Sequence, residues 1–248
     1  MPSGPGPLPL RIGVLLCDHA LAELGHLVGG DYDNLFDEFL LTAATASGIA
    51  VDLSFFDAVN GVLPERRDVC DAWVITGSQH DAYADNAWTN NLRIFIRNVI
   101  AAEARVVGIC FGHQLIATAL GGVVEPTDQW RLGPQRLALQ ATPWFRETTV
   151  HLHAMHRDII TVLPAGATVI GAGTTADVPA YLLGDNVFCV QDHPEFPASY
   201  VSALIEARAD RIDSETSSAA QDTIRRQPTD GADIGRTIIG FLSDDRIH

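Results

Sequence analysis

The first half of the chain alternates short apolar strands with amphipathic helices. In the segments 31–47 and 88–104, apolar residues recur every three or four positions, as on one face of a helix. The remaining apolar runs are short and rich in β-formers, and we predict strands at Leu10–Cys17, Ile49–Phe56, Ala72–Ile75 and Arg105–Ile109. Strands that alternate with helices predict an α/β fold: a mostly parallel sheet with helices on both faces, in three layers. In such sheets, functional sites lie at the carboxyl ends of strands.

The second half contains shorter strands and turns, followed by helices near the end. We predict strands at 135–140, 149–152, 168–172, 180–183 and 186–190, and helices near 197–209 and 231–242. The polar stretch 213–230 is given no conformation. The chain has 248 residues, of which 47% are hydrophobic, and it contains no long linker. We therefore predict a single domain over residues 10–248. The Pro- and Gly-rich residues 1–9 are predicted to be a disordered tail.

The net charge limits the classes of partner that the chain can bind, and the cysteine content indicates its cellular compartment. The chain has 16 Lys and Arg against 31 Asp and Glu, a net charge of −15, which argues against nucleic acid and against an anionic membrane. No apolar run approaches membrane-spanning length, and the N-terminus lacks the features of a signal peptide. The 4 cysteines are widely spaced, as in a reducing compartment, and we expect a cytoplasmic protein.

One cysteine lies at a sharp turn between a strand and a helix. Cys110 follows the strand Arg105–Ile109 and precedes a helical stretch from His113 to Leu120. The partial positive charge of helix amides favours a thiolate at that position. Gly108 and Gly112 flank the bend and carry no Cβ, so we expect a substrate carbonyl to approach closely. For Cys17, Cys70 and Cys189, burial as small hydrophobic residues is the simpler interpretation.

A second segment supplies a base and a carboxylate. Gln191 to Glu195 reads Gln-Asp-His-Pro-Glu and follows another apolar strand. His193 and Glu195 are separated by a proline that restricts the backbone between them. A thiol, an imidazole that takes its proton and a carboxylate that orients the imidazole form the set needed for nucleophilic catalysis. We therefore predict Cys110, His193 and Glu195 as catalytic residues.

These motifs resemble those of the class I glutamine amidotransferases. Gly108, Cys110, Gly112 and Gln114 match the motif Gly-x-Cys-x-Gly-x-Gln, and residues 193–195 match His-Pro-Glu. The segment Trp73–Ser78 is similar to the family's strand-to-turn segment that helps to bind the oxyanion. The likeness extends from about residue 10 to the early 200s. It is greatest to the stand-alone subgroup that resembles the amidotransferase domain of GMP synthetase and includes γ-glutamyl peptidases.

The resemblance implies a flavodoxin-like fold and hydrolysis of a γ-glutamyl amide through a thioester. It implies that the backbone amides of Phe111, Gly77 and Ser78 bind the oxyanion. Gln114 is either a substrate-positioning residue or a packing amide, and both roles stay open. We recognise no nucleotide-binding motif or metal-ligand cluster, and we predict no cofactor and no metal.

Several polar residues near these motifs have more than one interpretation. His151, His153 and His156 make a zinc site conceivable, but no cysteine or carboxylate cluster at ligand spacing supports it. His156 and Asp158 instead match a His-x-Asp element of the family. Asp192 departs from the family pattern, and it either raises the pKa of His193 or faces solvent. Trp88, Trp130 and Trp144 are interpreted as packing or cleft-wall residues.

Three functions remain open at this level. The chain is a free-standing hydrolase of glutamine or a γ-glutamyl peptide or conjugate, a glutaminase subunit that delivers ammonia to a separate synthetase, or a silent regulatory protein. A complete set of nucleophile, base and carboxylate argues against the third. The partners expected are a small γ-glutamyl substrate and, for the second function, an acceptor subunit.

Overall fold

The structure is a computed structural model that describes residues 8–173 and 178–246. The predicted disordered tail, residues 1–9, lies outside the described residues except for Leu8 and Pro9. Leu8 is 92% exposed. The boundaries of the predicted domain, 10–248, stay a prediction.

The described residues form twelve strands and six α-helices. The strands are β1 (Leu10–Leu15), β2 (Val51–Phe56), β3 (Ala72–Ile75), β4 (Arg105–Ile109), β5 (Val123–Glu125), β6 (Arg131–Leu139), β7 (Thr148–His156), β8 (Ile159–Val162), β9 (Ala167–Val169), β10 (Gly171–Gly173), β11 (Ala180–Leu183) and β12 (Val187–Val190). The helices are α1 (Tyr32–Ser47), α2 (Ala87–Ala101), α3 (Phe111–Ala119), α4 (Ala198–Ala207), α5 (Ser214–Arg226) and α6 (Gly231–Leu242).

The main sheet has seven strands in the order β2-β1-β3-β4-β12-β11-β9. The first five strands of this order are parallel to one another, and β11 pairs antiparallel with both β12 and β9. Because β3, β4 and β12 are parallel neighbours, the chain segments that follow them emerge at the same edge. The mostly parallel sheet predicted from the alternation of strands and helices is confirmed.

The two faces of the sheet are covered by different helices. On β3, Val74 packs in a cluster with residues of α1, α4 and α6, whereas Trp73 and Ile75 pack with α2 and α3. All three of these side chains are fully buried. Successive side chains of a strand point to opposite faces, so a strand that is apolar throughout is buried on both. The three-layer α/β architecture is therefore confirmed.

The second half of the chain departs most from the sequence-based expectations. The strands predicted at 135–140 and 149–152 are longer in the structure, where β6 and β7 pair as a hairpin that was not predicted. The strand β10 adds to β6 as a third strand. The short strands β5 and β8, which were not predicted, pair with each other. The stretch 213–230 contains α5, whose N-cap Asp213 accepts a hydrogen bond from the amide of Thr216 at 2.9 Å. Since α5 is polar on most of its surface, its sequence has little of the apolar periodicity that indicates a helix.

Within residues 8–173 and 178–246, every helix is too short or too polar to cross a lipid bilayer.

Gly13 of β1 makes room for the largest buried side chain of the sheet. A Cβ at this position would lie 2.3 Å from Cζ3 and 2.4 Å from Cε3 of Trp73. The Trp73 ring is held in turn by Phe56 and by Phe95, whose ring centroids lie at 5.8 Å and 5.0 Å. The Trp73 ring is therefore confined by aromatic neighbours as well as by β1.

We expect Gly13→Ala to lower the free energy of unfolding by about 1–3 kcal/mol, because overpacking displaces a confined ring. Chemical denaturation followed by tryptophan fluorescence measures the change. The control is Gly240→Ala in α6, where the nearest atom to a new Cβ is the Asp245 carbonyl oxygen at 4.0 Å. There we expect no loss, or a gain of up to about 1 kcal/mol, because alanine favours a helix. Equal effects of the two substitutions would contradict this account of the packing.

Candidate functional site

Three segments that carry predicted site residues follow neighbouring strands of the sheet. Gly77 and Ser78 follow β3, Cys110 follows β4, and His193 follows β12. The order β3-β4-β12 places Cys110 on the central strand of the three. The parallel pairing of these strands therefore brings together residues that are far apart in the sequence.

Cys110 has an unusual backbone conformation between β4 and α3. Its φ is +50° and its ψ is −101°, a region that non-glycine residues rarely adopt and that costs about 1–3 kcal/mol. The amide of Cys110 donates to the Val190 carbonyl at 3.0 Å, and its own carbonyl accepts from the Gln114 amide at 3.1 Å. These bonds fix the bend, and α3 begins at Phe111 rather than at His113 as expected.

The glycines around Cys110 allow backbone segments to pack closely. A Cβ on Gly108 would lie 2.7 Å from the carbonyl group of Gly112, and a Cβ on Gly112 would lie 2.4 Å from the Ile75 carbonyl oxygen. The packing of the backbone therefore requires both glycines, and the expectation that they also let a substrate carbonyl approach closely stays a prediction. They let the first turn of α3 pack onto the ends of β3 and β4.

Gly77 is the glycine that makes room inside the site. A Cβ at this position would lie 2.6 Å from Cε1 of His193 and 3.7 Å from Cβ of Cys110. The turn after β3, the proposed nucleophile and the proposed base therefore meet at one point. Any larger residue at position 77 would displace the imidazole.

His193 is held on three sides. Its Nδ1 lies 2.7 Å from Oε1 of Glu195, and its amide donates to the His153 carbonyl at 2.8 Å. Its ring stacks on Phe196, with centroids 4.0 Å apart and planes inclined by 6°. The side chain of Glu195 is fully buried. Such a contact keeps the Nδ1 proton toward the carboxylate and leaves Nε2 available for chemistry.

The charges around His193 favour its protonated form. Burial alone disfavours an imidazolium, but the negative charges of Cys110 and then of Glu195 outweigh burial and raise the pKa of His193 to about 10. A protonated imidazole at this position would stabilise negative charge on the neighbouring sulfur.

The surroundings of the other three cysteines disfavour a thiolate. Burial raises the pKa of the Cys17 and Cys70 thiols, and it raises the pKa of Cys189 to about 12. Each of the three is buried and unbridged. Their interpretation as small buried residues is confirmed.

A carboxylate that the sequence analysis missed holds the turn after β3. Asp18 is buried at the end of β1; its Oδ2 accepts from the Gln79 amide at 2.7 Å, and its Oδ1 accepts from Gln79 Nε2 at 3.1 Å. Thr76 Oγ1 also accepts from the Cys17 amide at 2.9 Å. The end of β1 thus fixes the turn that contains Gly77 and Ser78. The only sequence signal for Asp18 is its position at the carboxyl end of a predicted strand.

Gln114 links α3 to two other segments. Its Nε2 donates to the Asp158 carbonyl at 3.0 Å and to Oε1 of Gln191 at 3.1 Å. Nδ1 of His156 lies 3.1 Å from the same carbonyl oxygen. These contacts support a packing role for Gln114, whereas its role in substrate binding stays a prediction.

The remaining histidines do not converge on one point. His151 lies at the surface, with Nδ1 3.7 Å from Oδ2 of Asp230. His153 is buried, and burial, followed by the positive charge of His193, lowers its pKa to about 4. Among the described residues, no cluster of His, Cys, Asp or Glu side chains is arranged to hold a metal ion.

Asp192 faces His156 and not solvent. Its Oδ1 lies 3.4 Å from Nε2 of His156, outside hydrogen-bonding geometry, and both side chains are buried. The alternative in which Asp192 faces solvent is wrong. The charges that raise the pKa of His193 come from Cys110 and Glu195.

A narrow cleft of about 50 Å³ leads to Cys110. Its walls carry Gln114, the turn 78–81, Trp130 and the segment 155–158, together with Arg208 and Arg211 at the end of α4. A smaller space beside it is lined by His193 and Phe196, and Arg208 also borders that space. Of the two roles left open for the tryptophans, Trp130 has the cleft-wall position. Trp88 stacks on Phe111 at 5.6 Å and Trp144 packs against Phe241 at 5.0 Å.

A larger cavity, of about 280 Å³, lies between α1 and α6. Its lining is mostly apolar and includes Phe39, Ala43 and Ala232. Glu195 borders this cavity, but Cys110 and His193 do not. We therefore assign the candidate site to the narrower cleft, where the chemically reactive groups lie.

Comparison with known proteins identifies the relatives of this chain. The family model "Glutamine amidotransferase class-I" matches residues 33–205. The chain is 32% identical to γ-glutamyl peptidase 4 of Arabidopsis thaliana over 165 residues, which are 61% of this chain and 64% of that protein. It is 27% identical to γ-glutamyl peptidase 2 of the same plant over 88% of this chain and 90% of the relative. A GMP synthase (glutamine-hydrolysing) of Streptococcus pyogenes is 27% identical over 71% of this chain but only 34% of its own length.

Solved structures share the fold. A glutamine amidotransferase from Methylobacillus flagellatus superimposes with a TM-score of 0.68 and 18% identity, over 97% of this chain and 96% of the other. One from Thermotoga maritima has a TM-score of 0.68 and 18% identity, over 95% of this chain and 97% of that one. The predicted flavodoxin-like α/β fold is confirmed.

We expect iodoacetamide at neutral pH to alkylate Cys110 before the other three cysteines, because Cys110 lines the cleft and lies beside His193, whereas burial raises the pKa of the other three thiols. Glu195→Gln removes a negative charge that raises the pKa of His193, so the imidazolium becomes less stable. The alkylation rate of Cys110 should then fall by about tenfold, the factor that corresponds to one pKa unit. Peptide mapping by mass spectrometry over time measures this rate.

Glu206→Gln is the matched control, because Glu206 is exposed on α4 and should leave the rate unchanged. First labelling of Cys17, Cys70 or Cys189 would contradict the proposed role of Cys110. An unchanged rate in Glu195→Gln would contradict the role given to the carboxylate.

Proposed function

Because the chain belongs to the class I glutamine amidotransferase family, we propose that it hydrolyses γ-glutamyl amides with Cys110, His193 and Glu195 as its catalytic residues. The observation that carries this proposal is the buried 2.7 Å contact between His193 and Glu195, beside the strained Cys110 at the same sheet edge. A nucleophile, a base and an orienting carboxylate in this arrangement fit acyl transfer. The substrate class is a small molecule that contains glutamine or a γ-glutamyl peptide or conjugate.

In the first half of the reaction, Cys110 Sγ attacks the γ-carbonyl carbon and forms a C–S bond. The carbonyl electron pair moves to oxygen, where the amides of Phe111, Gly77 and Ser78 are our proposed hydrogen-bond donors. Phe111 is the first residue of α3, and the first amides of a helix have no acceptor within it. One such donor lowers the barrier by about 3–4 kcal/mol. His193 then protonates the leaving nitrogen, and the C–N bond breaks.

In the second half, water hydrolyses the γ-glutamyl thioester. Neutral His193 takes a proton from water, the hydroxyl adds to the thioester carbonyl, and the C–S bond breaks. The products are glutamate and the free thiol, with ammonia or an amine released earlier. Glu195 stabilises the imidazolium in both halves and keeps the ring oriented.

Asp18 supports this proposal as a positioning residue. Its two bonds to Gln79 hold the turn that carries the proposed Gly77 and Ser78 donors. An oxyanion site depends on donors that are fixed before charge develops. Asp18 itself does not reach the cleft lining around Cys110.

A second candidate function is delivery of ammonia to a separate synthetase. The observation that favours it is the glutamine-hydrolysing GMP synthase, of which this chain matches only 34%. Under this alternative, the isolated chain hydrolyses glutamine slowly and a synthetase subunit accelerates it.

We expect the purified chain to release glutamate from glutamine, glutathione or a γ-glutamyl dipeptide. Cys110→Ser should reduce that rate by about 10³-fold or more, because a serine hydroxyl is a far weaker nucleophile at this position. Mass spectrometry of the released glutamate measures the reaction. Circular dichroism of the variant tests whether the fold is retained.

Cys70→Ser is the control, because Cys70 lies outside the cleft and should leave the rate unchanged. Activity of Cys110→Ser at the level of the unsubstituted chain would reject the proposed nucleophile. If the isolated chain releases no glutamate, but ammonia is released when a synthetase subunit is added, the second candidate is favoured.

A further inference from the structure

Two arginines at the end of α4 lie on the wall of the Cys110 cleft. Arg208 and Arg211 line this cleft together with Arg157. The same lining carries two carboxylates, Asp81 and Asp158, so the cleft has three arginines against two acidic residues, whereas the whole chain has 16 arginines against 31 acidic residues. This local excess of positive charge in an acidic molecule favours anionic ligands at the cleft.

Arg208 and Arg211 differ from Arg157 in their contacts. Arg157 is paired through its Nε with Asp158 at 3.5 Å. Within residues 8–173 and 178–246, neither Arg208 nor Arg211 forms an ion pair with a carboxylate. The guanidinium donors of Arg208 and Arg211 are therefore available for a ligand.

The Arg211 side chain is placed by an aromatic ring. Its guanidinium carbon lies 5.5 Å from the centroid of the Trp130 ring, and Trp130 Nε1 donates to the Arg211 carbonyl at 3.1 Å. Trp130 is itself part of the cleft wall. Stacking leaves the edge of the guanidinium plane, which carries the N–H groups, open to a planar anion.

The position of Arg208 indicates which part of a substrate would carry the anionic group. It is half-buried and borders both the Cys110 cleft and the adjoining space lined by His193. In the proposed reaction, the leaving nitrogen must face His193 in order to receive its proton. A group attached to that nitrogen therefore extends toward Arg208.

We propose that Arg208 and Arg211 bind a carboxylate on the leaving amine, so the preferred substrates are γ-glutamyl amides of amino acids or peptides. This inference rests on the proposed hydrolysis at Cys110. It assigns the arginines as specificity residues that select such substrates over glutamine, whose leaving group is ammonia. A pair of guanidinium groups recognises a carboxylate by charge and by paired N–H donors.

The test compares two substrates that differ in one group. γ-Glutamylglycine carries a carboxylate on its leaving amine, and γ-glutamylglycinamide carries a neutral amide there. Both keep the α-amino and α-carboxyl groups of the glutamyl part. We expect the unsubstituted chain to favour γ-glutamylglycine by about 10–100-fold in kcat/KM, as expected for charged hydrogen bonds.

The double variant Arg208→Gln/Arg211→Gln should lose this preference. Its kcat/KM for γ-glutamylglycine should fall by about 10–100-fold, with less than about threefold change for γ-glutamylglycinamide. Arg226→Gln, an exposed site on α5, removes a positive charge away from the cleft and should change neither value. Equal losses on both substrates would overturn the proposal, because the arginines would then bind the glutamyl part or support the fold. The absence of a preference in the unsubstituted chain would overturn it too.

A binding measurement separates this proposal from the proposed hydrolysis. The full chain with Cys110→Ser is titrated calorimetrically with each of the two compounds. Tighter binding of γ-glutamylglycine that disappears with Arg208→Gln/Arg211→Gln supports the carboxylate site even if no turnover is seen. Equal binding of the two compounds rejects the site even if the chain proves to be a hydrolase.

Discussion

The parallel pairing of β3, β4 and β12 is the constraint on which the candidate site depends. Each strand ends in a segment with a different proposed role: a turn whose amides are the proposed oxyanion donors, a strained cysteine, and a histidine with its carboxylate. The register that pairs Ile75 with Gly108 and Val190 with Ile109 fixes how far each segment extends past the sheet. A shift of one strand would separate Cys110 from His193.

Close packing at this edge requires small residues at defined positions. Gly112 lets α3 approach β3, and Gly77 leaves space for the imidazole. The strain at Cys110 is maintained by backbone hydrogen bonds to Val190 and Gln114. Asp18 then holds the turn after β3 from the neighbouring strand β1. Sheet, glycines and buried carboxylates thus act together to hold the reactive groups before a substrate arrives.

The sequence predicts those parts of the structure that depend on local pattern. The strands before Gly77, Cys110 and His193 are apolar, and the parallel direction of β3 and β4 follows from the helix α2 between them. The direction of β12 does not follow from the pattern, because β5 to β11 separate it from β4. His193 and Glu195 are only two residues apart in the sequence, so their contact could be predicted. By contrast, Asp18 and Arg208 acquire their positions only through tertiary packing, and no periodicity distinguishes them from surface residues. The helix α5 escaped prediction because its polar sequence provides almost no apolar stripe.

Arg208 and Arg211 place positive charge in the cleft of a chain whose net charge is −15. An acidic protein repels anionic substrates unless a local group of cations offsets the wider field. We propose that Arg208 and Arg211 provide that group beside the place where a leaving amine would receive its proton. The position of the two arginines in the fold, more than the net charge of the chain, determines which ligands this site suits.

The central claim is that Cys110 carries the glutamyl group covalently during turnover. Rapid acid quenching during reaction with a γ-glutamyl substrate, followed by intact-mass and peptide analysis, tests it directly. The account predicts a mass increase of one γ-glutamyl group, located on the peptide that contains Cys110 and absent from Cys110→Ser. Release of glutamate without such an adduct at any quench time, or with the adduct on another residue, would contradict the account.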